Sequence, residues 1–184
     1  LNVYASGKYI LWKSLGGYII PTFFRSIMGA LILVSILMCI FLGSIRIGLL
    51  SLIPNLLPIV FGASLIYISG TYADVGTSLV ASVCLGIAVD DTIHILSSYH
   101  SHRINGENPI SATALMISHT GTALIITTVI LIAGFGTYAL GSFVPNVSFG
   151  VLTASVLGLA LFTDLTLLPA ILFIFNLKSY QYTD

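Results

Sequence analysis

The chain has 184 residues, of which 57% are hydrophobic and 7% charged, and its six Lys and Arg balance six Asp and Glu. Soluble domains carry about a quarter charged residues, so a chain this poor in charge lacks the polar surface to be wetted and belongs in lipid. A net charge of zero offers nucleic acid no basic surface. The two cysteines, Cys39 and Cys84, sit singly in apolar runs and read as small core residues, not as a disulfide or a metal site.

The chain opens on Leu1 and reads as a piece of a longer protein. Within residues 1–21, Leu11, Leu15, Tyr18 and Ile19 share one helical stripe, with Lys8 and Lys13 off it. Two readings fit: an amphipathic helix lying in the membrane interface, or a linker following a soluble domain. A span needs about 20 apolar residues to cross about 30 Å of hydrocarbon. Five segments qualify, 22–42, 47–69, 75–98, 122–140 and 147–175, which predicts an all-α bundle of five transmembrane helices over 22–175. Residues 176–184 form a short polar tail.

The second span holds Pro54-Asn55-Leu56-Leu57-Pro58. Two prolines free backbone carbonyls inside the membrane, which survives only where protein or a watery cavity satisfies them again. The motif is either a kink that moves or a static bend. In the third span Ser78, Ser82, Gly86, Asp90, His94 and Ser98 recur every four residues, a stripe that climbs about 30 Å at 1.5 Å per residue. Asp91 lies three residues before His94, so Asp90, Asp91 and His94 are expected on one side of the helix, opposite Leu79, Val80, Val83, Ile87 and Ile93. A charge at mid-membrane costs at least about 2.5–3.5 kcal/mol, and two adjacent carboxylates in low dielectric do not both ionise easily. His94, one turn on, can supply a countercharge or accept a proton. That is the chemistry of a proton relay; the competing reading is a structural hydrogen-bond cluster.

The connection 99–121 carries His100, His102, Arg103 and Glu107, an Asn105-Gly106 turn, and then Asn108 as helix N-cap with Pro109 at the first helical position. The short helix that follows is expected to end at Gly121, with His119 at the interface in a structural role. Thr127 and Thr128 enter the fourth span, where a hydroxyl can reach the acid pair or bond its own helix; Thr127 is taken as a candidate relay member. In the fifth span Gly150, Ala154 and Gly158 form a row of small residues that admits another helix closely. Asp164 is expected to pin helix packing and Pro169 to bend the helix. Arg46, Arg103 and Lys178 fall on one side of the membrane, and Lys8, Lys13 and Arg25 precede the first span on the other. Short loops obey the positive-inside rule better than long translocated segments, so Arg46, Arg103 and Lys178, with the tail, are expected to be cytoplasmic.

The run Gly86-Ile87-Ala88-Val89-Asp90-Asp91-Thr92-Ile93-His94 resembles the signature of the resistance–nodulation–division (RND) superfamily, closest to its MMPL-like hydrophobe and amphiphile exporters with a sterol-sensing-like membrane fold. Ile53-Pro54-Asn55-Leu56-Leu57-Pro58, His119-Thr120-Gly121 with Thr127 and Gly134-Phe135, and Asp164 with Leu168-Pro169-Ala170 are similar to flanking spans of that family, in the same order. The resemblance implies half of a twelve-span transporter, by preference the C-terminal half, in which an extracytoplasmic domain precedes five spans. It further implies proton-motive-force-driven export of lipids or other amphiphiles across the cytoplasmic membrane, with Asp90 and Asp91 in the proton relay. Many relatives have Tyr where Asp91 stands, so the proton path differs here in detail. The alternative is a sterol-sensing-like module that binds lipid without pumping. The partners implied are the other half of the transporter and the lipid substrate, with self-association left open; no cofactor and no enzymatic activity are expected. An intramembrane aspartyl protease would need the Gly-x-Gly-Asp run, which this sequence lacks.

Overall fold

The structure, a computed structural model, describes residues 8–42, 45–70 and 75–175. The tail 176–184 with Lys178, the loop 71–74, and the side chains of residues 8–20, Arg46 and Ser78 lie outside what is described. All regular structure among the described residues is helical: α1 (Lys8–Leu42), α2 (Ile45–Leu50), α3 (Leu52–Ser69), α4 (Val75–Ile104), α5 (Pro109–Met116), a π turn (Ile117–Gly121), α6 (Thr122–Gly136), a 3-10 turn (Thr137–Leu140) and α7 (Val144–Phe175).

Among the described residues four stretches are long and apolar enough to cross a membrane: Gly48–Ile68, Leu79–Ile104, Pro109–Leu140 and Val144–Ile174. The predicted first span corresponds to a shorter apolar run, Phe24–Ile40, in the second half of α1. The stretch read as linker or interfacial helix is continuous with it, because α1 runs unbroken from Lys8 through Pro21.

The prolines decide where the second span breaks. Pro54 has no N–H to offer the Leu50 carbonyl four residues back, and its ring crowds that carbonyl. The helix therefore divides at Ser51, between α2 and α3. Side chains take up the loosened backbone: Ser51 Oγ donates to the Gly48 carbonyl at 2.8 Å, and Asn55 Nδ2 donates to the Ser51 carbonyl at 3.0 Å. Pro58 in turn leaves the Pro54 carbonyl without its helical donor, and the Thr163 hydroxyl of α7 lies 3.2 Å from it, its one hydrogen shared with the Ala160 carbonyl of its own helix at 2.9 Å. Gly70 closes α3 in the left-handed conformation (φ 64°), with its N–H on the Tyr67 carbonyl.

Asn108 caps α5 as the sequence predicts, its side chain accepting from the Ser111 N–H at 2.8 Å with Pro109 next in line. Gly106 adopts φ 90° in the preceding turn. Gly121, by contrast, does not stop the helix. The chain passes from α5 through the π turn straight into α6, so that one helix from Pro109 to Leu140 replaces the predicted short helix and separate span. A π turn accommodates one residue more than the α ladder, and Gly121 is buried there, where an added Cβ would stand 3.2 Å from Leu165 Cδ2.

Helix α7 is the hub, packed on α3, α4 and α6, while α1 lies at the edge against α2 and α4. Met38, Leu85, Val89, Ile95, Leu96, Tyr99, Met116, Leu168 and Leu172 form the main core. Lipid offers no hydrophobic drive for helices to associate, so close backbone approach matters more. A Cβ on Gly62 of α3 would meet Val156 of α7 at 2.7 Å; one on Gly150 would lie 2.5 Å from the Phe135 carbonyl and 2.6 Å from Tyr138 Cβ. Gly150 is thus the tight end of the predicted small-residue row; Gly158 makes an ordinary 3.7 Å approach to Ile132. Helix α7 continues through Pro169, which is buried.

Candidate functional site

Adjacent helical positions point about 100° apart (3.6 residues per turn), and the bundle uses that angle to separate the two carboxylates. Asp90 faces out: its side chain is 71% exposed, beside that of His94 at 63%, with His94 Nε2 3.7 Å from Asp90 Oδ1. That spacing allows charge pairing and is too long for a hydrogen bond. Asp91 faces in, 9% exposed, and Thr92 after it is fully buried. The expectation that Asp90, Asp91 and His94 occupy one side is therefore corrected. Asp90 and His94 form an outer pair, four residues apart, and Asp91 turns toward the bundle.

The outer pair belongs to the longer stripe. Ser82, Gly86, Asp90 and His94 are all exposed and Ser98 is half-buried, so the polar face of α4 looks away from the other described helices. Large apolar side chains are also exposed on the bundle, among them Leu79 on α4 and Ile36 and Ile40 on α1.

The inner side of α4 meets a second polar cluster, built from three helices. Thr92 Oγ1 lies 3.1 Å from Asp164 Oδ1 on α7 and 3.2 Å from Asn55 Oδ1 on α3. Asn55, Thr92 and Asp164 are each 1% exposed or less. Asn55 Nδ2 is committed to the Ser51 carbonyl, which orients its amide oxygen toward Thr92. Thr163, next to Asp164, holds the Pro54 carbonyl. The proline-bounded segment of α3 is thus tied twice to neighbouring residues of α7, once directly and once through Thr92. Asp91 is in electrostatic range of Asp164 on one side and of Asp90 and His94 on the other. It links the outer pair to the inner cluster.

Thr127 is exposed on α6, and its hydroxyl bonds the Ala123 and Leu124 carbonyls of its own helix at 3.2 and 3.0 Å. Thr128 is the threonine turned inward, 1% exposed, and its Oγ1 has no hydrogen-bond partner among the described residues. At the end of the bundle, His102 of α4 stacks on His119 of the π turn with ring centroids 6.4 Å apart, and Arg103 Nη1 donates to the Glu107 carbonyl at 2.6 Å. No group of three or more metal-ligating side chains occurs among the described residues.

Sequence reasoning did not single out Asn55, Thr92 or Thr163. Asn55 carried a signal, an amide between two prolines in an apolar span, and Thr92 was marked by its place directly after two aspartates. Thr163 had none: Pro58 marks the Pro54 carbonyl as lacking a donor, but which hydroxyl reaches it depends on how α3 and α7 pack.

No family model matches the chain. A protein of Methanocaldococcus jannaschii named as a membrane protein, MJ1562, is 26% identical over 127 residues, which make up 69% of this chain and 33% of that protein. The chain therefore spans about a third of the length of this relative. Relative and helix composition agree on one statement: the chain is an α-helical membrane protein.

Proposed function

We propose that the chain is one membrane half of a proton-driven exporter of the RND kind, moving lipids or other amphiphiles across the cytoplasmic membrane. The supporting observation is the outward stripe of α4. Asp90 and His94 stand well exposed on a helix of spanning length, in a protein whose other outward side chains are largely apolar. Left against hydrocarbon, Asp90 alone costs about 2.5–3.5 kcal/mol. A typical interhelical hydrogen bond in a membrane returns only about 0.6 kcal/mol, so the bundle's own contacts do not offset it cheaply. A second repeat across this face, or a water path along it, removes the cost, and transporters built from two repeats place their pathway at such a junction.

In this reading a proton reaches Asp90 and His94 from the junction, and Asp91 passes its charge change inward to the helices that must move. At a potential of about 100 mV each proton brings about 2.3 kcal/mol, comparable with the cost of one buried charge. The test is export of a fluorescent lipid analogue by the full-length protein at matched membrane abundance. Asp90→Asn and Asp91→Asn are expected to reduce export at least tenfold, because an amide keeps the size and hydrogen bonding of the acid but cannot change charge. Export within twofold of the parent in both variants rejects proton coupling at this site and leaves a lipid-sensing module as the better description.

A further inference from the structure

The inner cluster contains more acceptors than hydrogens, and the shortage points to a proton. A threonine hydroxyl has one hydrogen and two lone pairs. Thr92 Oγ1 sits between two oxygens, Asp164 Oδ1 at 3.1 Å and Asn55 Oδ1 at 3.2 Å. The Asn55 amide cannot turn to offer a hydrogen without abandoning the Ser51 carbonyl. If Asp164 were ionised, Thr92 Oγ1 would face two acceptor oxygens with a single hydrogen, and one of the two contacts would be oxygen against oxygen. The second carboxylate oxygen, Oδ2, is also buried and has no hydrogen-bond partner among the described residues. A buried charge on such terms is far costlier than a buried neutral acid.

One added hydrogen completes the chain through Thr92 and Asn55 and leaves Oδ2 as part of a neutral acid. With Asp164 protonated on Oδ1, it donates to Thr92, Thr92 donates to Asn55, and Asn55 donates to the Ser51 carbonyl, each donor facing one acceptor. We infer that Asp164 carries a proton in this conformation, and that this proton holds α7 to the proline-bounded segment of α3 through Thr92 and Asn55. Loss of the proton transfers the Thr92 hydrogen to the carboxylate, leaves Asn55 Oδ1 without a donor, and removes one of the two ties that hold α3 at its break. Asp164 is then a proton-dependent positioning residue for α3, separate from the outer pair.

The ionisable surroundings are few. Asp164 is the only ionisable side chain in α7, and α5 and α6 contain none. Helix α3 carries only Tyr67, near its far end and 88% exposed. Helix α4 brings Asp91 within electrostatic range, with Asp90 and His94 beyond it on the outer face.

The inference deepens the proton-coupling reading and rests on it for its role in transport, but its test needs no transport. The protein in lipid nanodiscs at neutral pH is examined by infrared difference spectroscopy for the C=O stretch of a protonated carboxylic acid, above the amide band. The band is expected in the parent, retained in Asp91→Asn, and lost in Asp164→Asn. Thr92→Val is expected to shift it to higher frequency, because the acid loses its acceptor; this variant still reports if Asp164→Asn folds poorly. Absence of the band in the parent, or its full retention in Asp164→Asn, overturns the assignment. Should the band behave as expected while the outer-pair variants export normally, the proton on Asp164 stands and proton-driven export does not.

Discussion

Thr127 and Thr128 are neighbours with opposite fates, and the difference is measurable. The Thr127 hydroxyl is satisfied by its own helix on an exposed face, so Thr127→Val should leave thermal stability and export within experimental error. The Thr128 hydroxyl is buried with no partner among the described residues. An unmet buried hydroxyl costs about 1–3 kcal/mol, and replacing it with an apolar group of the same shape removes that cost. Thr128→Val is therefore expected to unfold at the same or a higher temperature than the parent; a clear fall shows that the hydroxyl has a partner. Much at this scale was legible in the sequence: the Asn108 cap, the Asn105-Gly106 turn and the acids of α4 all stand where local chemistry put them. The facing of Asp90 against Asp91 was not. A four-residue period identifies which residues share a stripe, but only the packing of α7 against α4 decides which side of the stripe is covered.

Helix by helix, the joints lie at small residues and prolines. Gly150→Ala places a methyl 2.5 Å from the Phe135 carbonyl, a backbone atom that cannot step aside, and overpacking of this kind costs about 1–3 kcal/mol. Gly158→Ala meets Ile132 at an ordinary 3.7 Å and should be neutral. Unfolding of both variants in mixed micelles checks the contrast, and equal effects would show that the row does not act through Gly150. Thr163→Val removes the hydroxyl shared between the Pro54 and Ala160 carbonyls and is expected to cost at most about 1 kcal/mol, within the range for interhelical hydrogen bonds in membranes. The spans were visible as apolar runs of sufficient length. The continuity of α5 with α6 was not, because a glycine after a short helix is ordinarily a stop signal, and only the π turn makes it a passage.

For the molecule as a whole, α7 decides the architecture: it packs on α3, α4 and α6, and its Asp164 meets Thr92 of α4, which in turn reaches Asn55 in the proline-bounded segment of α3. Orientation follows from charge. With Arg103 in the last turn of α4, that end of the bundle is expected in the cytoplasm. In a full-length protein with Cys39 and Cys84 replaced, a cysteine at Asn105, an exposed turn position, should resist an impermeant thiol reagent in intact cells and react once the membrane is opened, whereas a cysteine at Tyr72 should react from outside. Labelling of position 105 in intact cells reverses the topology, and with it the side from which protons enter.

The π turn at Ile117–Gly121 has a genetic consequence. It holds one residue beyond what a continuous α ladder requires, so loss of a single codon there lets the ladder close in the ordinary way and leaves both flanks facing as before. The same loss a few positions later, inside α6, would rotate everything beyond it by about 100° and exchange lipid-facing for buried side chains. Length variation in this span should therefore be tolerated at residues 117–121 and selected against from residue 122 onward.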